Sequence, residues 1–234
     1  METRKPRTHN QDLRDYPVYT VPEAARYLAM PLRTLYHWLS DNPLWTAAGS
    51  DFDVQLLSFK DLAQSHFIEF IRRHAAISTR KAREILKNAQ LETNSPYPLL
   101  DKNIKVLFQH ILLDHPARKR VPRHVVDLSH HRQLVIHEVV DLYATRIQRN
   151  TKGELQRLYP WRLWNRDEDG RKPVTIDPNI MSGRLVVTGT RIPVDVLLNR
   201  KNAGESVPDL SKDYGLSEQA INDALRHLAL RKAA

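Results

Sequence analysis

Residues 19–39 read YTVPEAARYLAMPLRTLYHWL, and the way this stretch divides decides the fold around it. Thr20 and Glu23 stand three apart, the spacing of a capping box, and Pro22 suits the first turn of a helix. Ala24, Ala25 and Leu28 follow at helical spacing. The run Ala29–Met30–Pro31 ends that helix, because a residue before proline avoids the α region. Pro31 then opens a second helix that places Leu32, Leu35 and Leu39 on one face. Two short helices with a sharp turn between them spell a helix-turn-helix. Arg33, Thr34, Tyr36 and His37 fall on the polar side of the second helix. In a DNA major groove, Arg33 would take a guanine edge, and Thr34, Tyr36 and His37 would reach phosphates or bases. The same residues also suit a helical hairpin whose surface is simply polar.

A second such unit lies at residues 206–228, SVPDLSKDYGLSEQAINDALRHL. Ser206 and Asp209 repeat the capping spacing, Gly215 sits at the bend, and Ser217 caps the last helix. Leu216, Ile221, Leu225 and Leu228 form its apolar face. Glu218, Asn222 and Asp223 are expected on the surface early in the last helix, where a reading helix contacts bases. Carboxylates there would face phosphates, so this unit is expected to engage protein rather than DNA. Before it, residues 174–178 (VTIDP) and 183–191 (GRLVVTGTR) read as strands, with a hairpin turn at Thr188–Thr190. Gly189, Thr190 and Arg191 lack the spacing of a phosphate-binding P-loop. The segment RIPVDVLLNRKNAG then reads as a helix closed by Gly204.

Between the two units, residues 41–59 hold turn formers and the short apolar run VQLLSF, the pattern of a small hairpin or wing. Ser58 caps a helix with Leu62, Phe67, Phe70 and Ile71 at helical spacing. Ser78 starts another, TRKAREILKNAQ, whose Arg80, Lys81, Arg83 and Lys87 suit phosphate contacts beside the first unit. The run LETNSPYP breaks it. From residue 97 to 165 the pattern is mixed. KVLFQH reads as a strand, and Arg118, Lys119, Arg120 and Arg123 fall in a basic loop. Residues 129–145 read as a helix, Asn150–Gly153 as a hairpin turn, and Tyr159, Trp161 and Trp164 as core anchors. The charged run RDEDGRKP closes this part. The expected organisation is a winged helix-turn-helix over 1–95, a mixed α+β connector over 96–168 and a small-sheet-plus-helix-turn-helix unit over 169–234. The fold class is mainly α with small β elements.

The chain has 234 residues and a net charge of +9, which favours an acidic partner such as nucleic acid. The charge is uneven: residues 1–59 carry 6 Lys or Arg against 7 Asp or Glu, residues 60–160 carry 18 against 10, and residues 161–234 carry 12 against 10. There is no cysteine, hence no disulfide or thiolate metal site. No apolar leader and no stretch of roughly 20 apolar residues is present, so a cytoplasmic protein without a membrane partner is expected. His130, His131 and His137 cluster on one expected helix, but no zinc-binding spacing accompanies them. No nucleophile elbow or triad pattern occurs. No catalytic residue, metal ligand or cofactor is assigned, and the chain does not read as an enzyme.

Residues 19–39 resemble the N-terminal unit of MerR-type and excisionase-type winged-helix proteins. Residues 174–225, with GTRIPVDVL, AGES and DYGLS in order, resemble a small domain family of unknown function that recurs in antitoxins of bacterial toxin–antitoxin pairs. The two in this order look like a VapB-type antitoxin, and that resemblance implies several things. The partner would be a PIN-domain ribonuclease toxin with an acidic metal-binding centre. The antitoxin would silence it and repress its own operon through operator DNA. Arg184, Arg191 and Arg200 would be the side chains offered to the acidic cleft, and a homodimer would read a palindromic operator. A stand-alone regulator that senses a ligand through its C-terminal unit is the rival expectation.

Overall fold

The computed structural model describes residues 12–40, 42–74, 77–102, 141–160 and 171–229. The expected strand KVLFQH, the basic loop Arg118–Arg123, the clustered histidines, Trp161, Trp164 and the 168/169 boundary lie outside them.

The chain first forms a 3-10 turn at Leu13–Asp15 and then a two-residue strand, β1 (Tyr19–Thr20). Thr20 also caps helix α1 (Val21–Tyr27), its hydroxyl accepting the Glu23 N–H at 3.3 Å. Leu28 closes α1, and Ala29 turns left-handed with φ 48°. Such a conformation is uncommon for a residue with a Cβ. It swings the chain so that Pro31 caps helix α2 (Leu32–Leu39). Leu35, Trp38 and Leu39 bury one face of α2, and Leu32 is only half-buried.

The expected wing is reduced to β2 (Leu56–Leu57). Leu56 pairs with Thr20 on one side and exchanges hydrogen bonds with Gly49 on the other, at 3.2 and 3.3 Å. Residues 51–54 between them are exposed.

Helix α3 (Phe59–His74) is buried on almost every side, where the sequence suggests a single apolar face. The reason is that several neighbours pack on it: the next helix, β2, the turns Leu13–Asp15 and Pro98–Leu100, and Tyr143. Tyr143 stacks edgewise on Phe67 at 4.3 Å and donates to the Ala63 carbonyl at 3.0 Å. The buried Asp61 carboxylate accepts from Trp45 Nε1 (2.8 Å), Ala48 N (3.1 Å), and Ser58 N and Oγ (both 2.8 Å). The Ser58 hydroxyl in turn accepts the Asp61 N–H at 3.1 Å, a reciprocal cap on α3. Gln64 is fully buried, yet neither amide atom finds a partner among the described residues.

Helix α4 (Thr79–Thr93) is capped by Ser78 as expected but does not break at LET. Nothing in Leu91, Glu92 or Thr93 stops a helix. The stop comes at Asn94, left-handed with φ 49°. The turn Pro98–Leu100 beyond it is buried in the same core as α3, so the packing continues across residue 95.

Strands β3 (Ile147–Arg149) and β4 (Leu155–Leu158) form the expected hairpin, with a bulge at Gln148/Arg149 and Gly153 at φ 80° in the turn. Leu158 and Ile176 exchange backbone bonds at 3.0 and 2.9 Å, which joins this hairpin to the C-terminal unit. There β5 (Val174–Thr175) pairs with β6 (Val186–Val187). The turn at Thr188–Thr190 is an ordinary hairpin turn closed by the Thr190 N–H to the Val187 carbonyl, 3.0 Å. Helix α5 (Val194–Asn202) begins after Pro193 rather than at Arg191, because Ile192 is still bonded to Val187. Helices α6 (Val207–Tyr214) and α7 (Glu218–Ala229) follow, capped by Ser206 and Ser217 and separated by left-handed Gly215.

The protein is thus mainly helical with small two-stranded sheets among the described residues. None of the described helices is long and apolar enough to cross a membrane.

Candidate nucleic-acid interface

The apolar stripe of α2 fixes which side chains are left outside. Leu35 and Trp38 point inward with at most 1% exposure, so Arg33, Tyr36 and His37 must face solvent, and they do. Thr34 is half-buried. Arg33 makes no side-chain hydrogen bond or ion pair among the described residues, so its guanidinium is free for a new partner.

The basic helix α4 divides by how its cations are already used. Arg80 and Lys87 are exposed and make no side-chain hydrogen bond or ion pair among the described residues. Lys81 pairs with Glu84 at 3.1 Å, a surface pair worth little. Arg83 donates to the Asn42 carbonyl at 2.7 Å, which ties α4 to the loop leaving α2. Arg83 is thus spent on joining α4 to that loop, while Arg80 and Lys87 stay exposed. The exposed loop 51–54 reads Asp51, Phe52, Asp53, Val54. Its two carboxylates suit a phosphate backbone poorly. The acidity of this loop is legible in the sequence, and it removes the loop from the phosphate-contacting set.

The second helix pair, α6–α7, differs from expectation at one position. Glu218 and Asn222 are exposed, but Asp223 is buried at 7% exposure. It pairs with Arg171 at 2.9 Å and with Arg226 at 3.6 Å. The sequence could not show this, because Arg171 is 52 residues away. Helix α7 instead turns a face inward on α1: the fully buried His227 shares a 2.7 Å hydrogen bond between Nε2 and the Tyr27 carbonyl.

Two more side chains, Arg26 and Tyr19, tie the C-terminal unit to α1 and to the strand before it. The guanidinium of Arg26 grips the Asp195 carboxylate through two bonds, 2.5 and 3.0 Å. The buried hydroxyl of Tyr19 donates to the Gly183 carbonyl at 2.9 Å. Burial pushes the Tyr19 and Tyr27 phenols well above the usual tyrosine range, and neighbouring carboxylates add to this. The outer flank of α1 is thus covered by protein, while the solvent face of α2 stays open.

Arg184, Arg191 and Arg200 do not converge. Arg200 is locked inside its own unit, paired with Glu205 and with Asp213 (2.5 Å) and lying 5.1 Å over the Tyr214 ring. Glu205, then Tyr214 and Asp213, hold its guanidinium protonated far above any working pH. Arg184 and Arg191, by contrast, line one cleft together. No cluster of three His, Asp or Glu that could hold a metal occurs among the described residues.

Residues 174–227 match the family described as protein of unknown function (DUF433), so the chain carries a C-terminal DUF433 unit. No curated protein matches the sequence. The fold is similar to the crystal structure of Rv2018 from Mycobacterium tuberculosis, with a TM-score of 0.66 and 21% identity over 90% of this chain and 98% of that one.

Proposed function

We infer that the protein is a DNA-binding antitoxin. In this reading α1 and α2 form a helix-turn-helix, with the loop before β2 as a vestigial wing, and the DUF433 unit serves protein contacts. The observation that carries the DNA half is the solvent face of α2. Its free Arg33, with Tyr36 and His37, stands opposite a fully buried stripe, on the flank that the C-terminal unit leaves open. Exposed Arg80 and Lys87 on the adjoining helix add phosphate-binding charge. The toxin half rests on the resemblance to VapB-type antitoxins. Arg184 and Arg191 are the two exposed arginines suited to an acidic ribonuclease centre of the PIN type, while Arg200 is already paired. Operator binding as a homodimer and repression of its own operon belong to the same proposal.

The test has two arms. In a mobility-shift assay on the DNA upstream of its own gene, Arg33→Ala should lose sequence preference and about 1–3 kcal/mol of affinity. Unchanged operator binding by Arg33→Ala sinks the DNA half. Co-purification with the product of the adjoining gene tests the toxin half, and an isolated gene would turn the reading to a ligand-sensing regulator. One observation favours that second reading: a cleft sits directly beside β1, which leads into α1.

A further inference from the structure

That cleft encloses about 720 Å³, within the range of small-molecule sites. One wall comes from the segment that enters β1: Leu13, Tyr16 and Val18. The other comes from the DUF433 unit: Met181, Arg184 and Arg191. Leu13 and Val18 are 54% and 50% exposed, aliphatic side chains left half open to solvent.

The charge of the cleft is poorly matched from within. Arg191 is exposed and makes no ion pair among the described residues. The carboxylate paired with Arg184 is Asp195, at 3.8 Å, and it is already gripped by Arg26 through shorter bonds. Two guanidiniums therefore share little counter-charge beside apolar wall. The backbone that leads to Arg184 is also unusual. Met181 and Ser182 have φ 49° and 55°, left-handed values that residues with a Cβ avoid, and Gly183 continues at 81°. Strain of this kind gathers at ligand sites. Here it is held by the Tyr19 hydroxyl on the Gly183 carbonyl.

We propose that this cleft binds a small amphipathic organic anion. Its acidic head takes the forks of Arg184 and Arg191, and its apolar body covers Leu13, Tyr16, Val18 and Met181. Guanidinium suits this role because it is weakly hydrated and binds carboxylate or sulfonate through paired N–H groups. Asp195 links the cleft to α1, since its carboxylate accepts from Arg26, is 3.8 Å from Arg184 and lies 3.5 Å from the Tyr27 hydroxyl. An anion that draws Arg184 away leaves Asp195 to α1 alone, so occupancy and the seating of α1 are coupled, and the coupling is reciprocal.

The probe is anilinonaphthalene sulfonate, titrated by fluorescence into the full-length chain, with phenylbutyrate as a carboxylate competitor. A single saturable site is expected. Arg184→Ala and Arg191→Ala should each weaken it about tenfold, the loss of one charge-assisted bond pair. Asp195→Asn should strengthen it, because Arg184 is released to the probe, whereas a purely structural Asp195 would give weaker binding. Phe52→Ser, which removes a rival exposed aromatic, should change nothing. Affinity unaltered in both arginine variants, or lost in Phe52→Ser, overturns the proposal. If Arg184→Ala fails to melt like the native chain, the exposed Arg191→Ala decides alone. No arm uses DNA, so a chain that binds no operator still tests the cleft independently.

Discussion

Replacing Gly183 with alanine should break the seam between β1 and the DUF433 unit. Gly183 has φ +81°, and a Cβ there would stand 2.0 Å from the Tyr19 hydroxyl oxygen and 3.0 Å from its ring carbon Cζ. The ring has little room to yield, because Tyr19 is 3% exposed and meets the Tyr27 ring edgewise at 6.3 Å. Two costs add. Holding alanine in the left-handed region costs about 1–2 kcal/mol. Separating the Tyr19 hydroxyl from the Gly183 carbonyl strands a buried pair at about 1–3 kcal/mol. The sum is about 2–5 kcal/mol. In a chain of this size each kcal/mol lowers the melting temperature by about 2–4 °C. Denaturant unfolding of four proteins measures it: wild type, Gly183→Ala, Tyr19→Phe and the double variant. Tyr19→Phe removes the atom at 2.0 Å and leaves the milder contact with Cζ at 3.0 Å, so in that background the glycine substitution should cost little beyond its backbone share of about 1–2 kcal/mol. Equal cost in both backgrounds, or a loss under about 1 kcal/mol in the first, would refute the reasoning.

Three further outcomes are expected. Removing Arg80 and Lys87 together should reduce the slope of log affinity against log salt by about two, whereas Arg83→Ala, already spent on Asn42, should change it less; gel shifts at several salt concentrations decide. Gln64→Met should stabilise the fold by about 1 kcal/mol, because it replaces a buried amide without partners by an apolar side chain of similar volume; a destabilised variant in urea would mean that the amide is satisfied after all. Burial raises the Tyr143 phenol well above its usual range. A raised pKa gives stability that is complete below the unfolded value near 10 and is lost as pH climbs toward the folded one. Tyr143→Phe, less stable at neutral pH by about 1 kcal/mol, should therefore lose stability less steeply above pH 10, and parallel curves would contradict this.

The local grammar of the sequence is readable wherever one turn of chain contains both partners. The caps at Thr20, Ser58, Ser78 and Ser206, the bend at Gly215 and the Asn150–Gly153 hairpin are all of this kind. The free face of α2 is equally plain, since the Leu32, Leu35 and Leu39 spacing fixes it. What cannot be read are the ties between distant residues. Asp195 gives no sign in its own neighbourhood that Arg26 will hold it, nor His227 that it will meet the Tyr27 carbonyl. Asp223 resembles a surface carboxylate because Arg171 lies far off in the chain. The largely covered α3 is hidden for a related reason: its polar positions follow an exposed pattern, and segments distant in the chain, such as 97–100 and Tyr143, close over them. The cleft draws residues from the segment entering β1 and from the DUF433 unit, so no single motif announces it.

The ties that seat α1 have a temporal side. Tyr19, Arg26 and Tyr27 find their partners 164, 169 and 200 residues later. At ribosomal rates of about 5–20 residues per second, Arg26 waits roughly 8–34 s for Asp195 to be made. Through that interval the first helix pair stands with one flank bare, and any folding of it is provisional. Residues around His227, made some 200 residues after Tyr27, complete the seat. A stop codon or frameshift between Asp195 and His227 would thus act on α1 and α2 as directly as a mutation within them. Folding in vitro should be slow for so helical a chain, since its decisive contacts close very long loops.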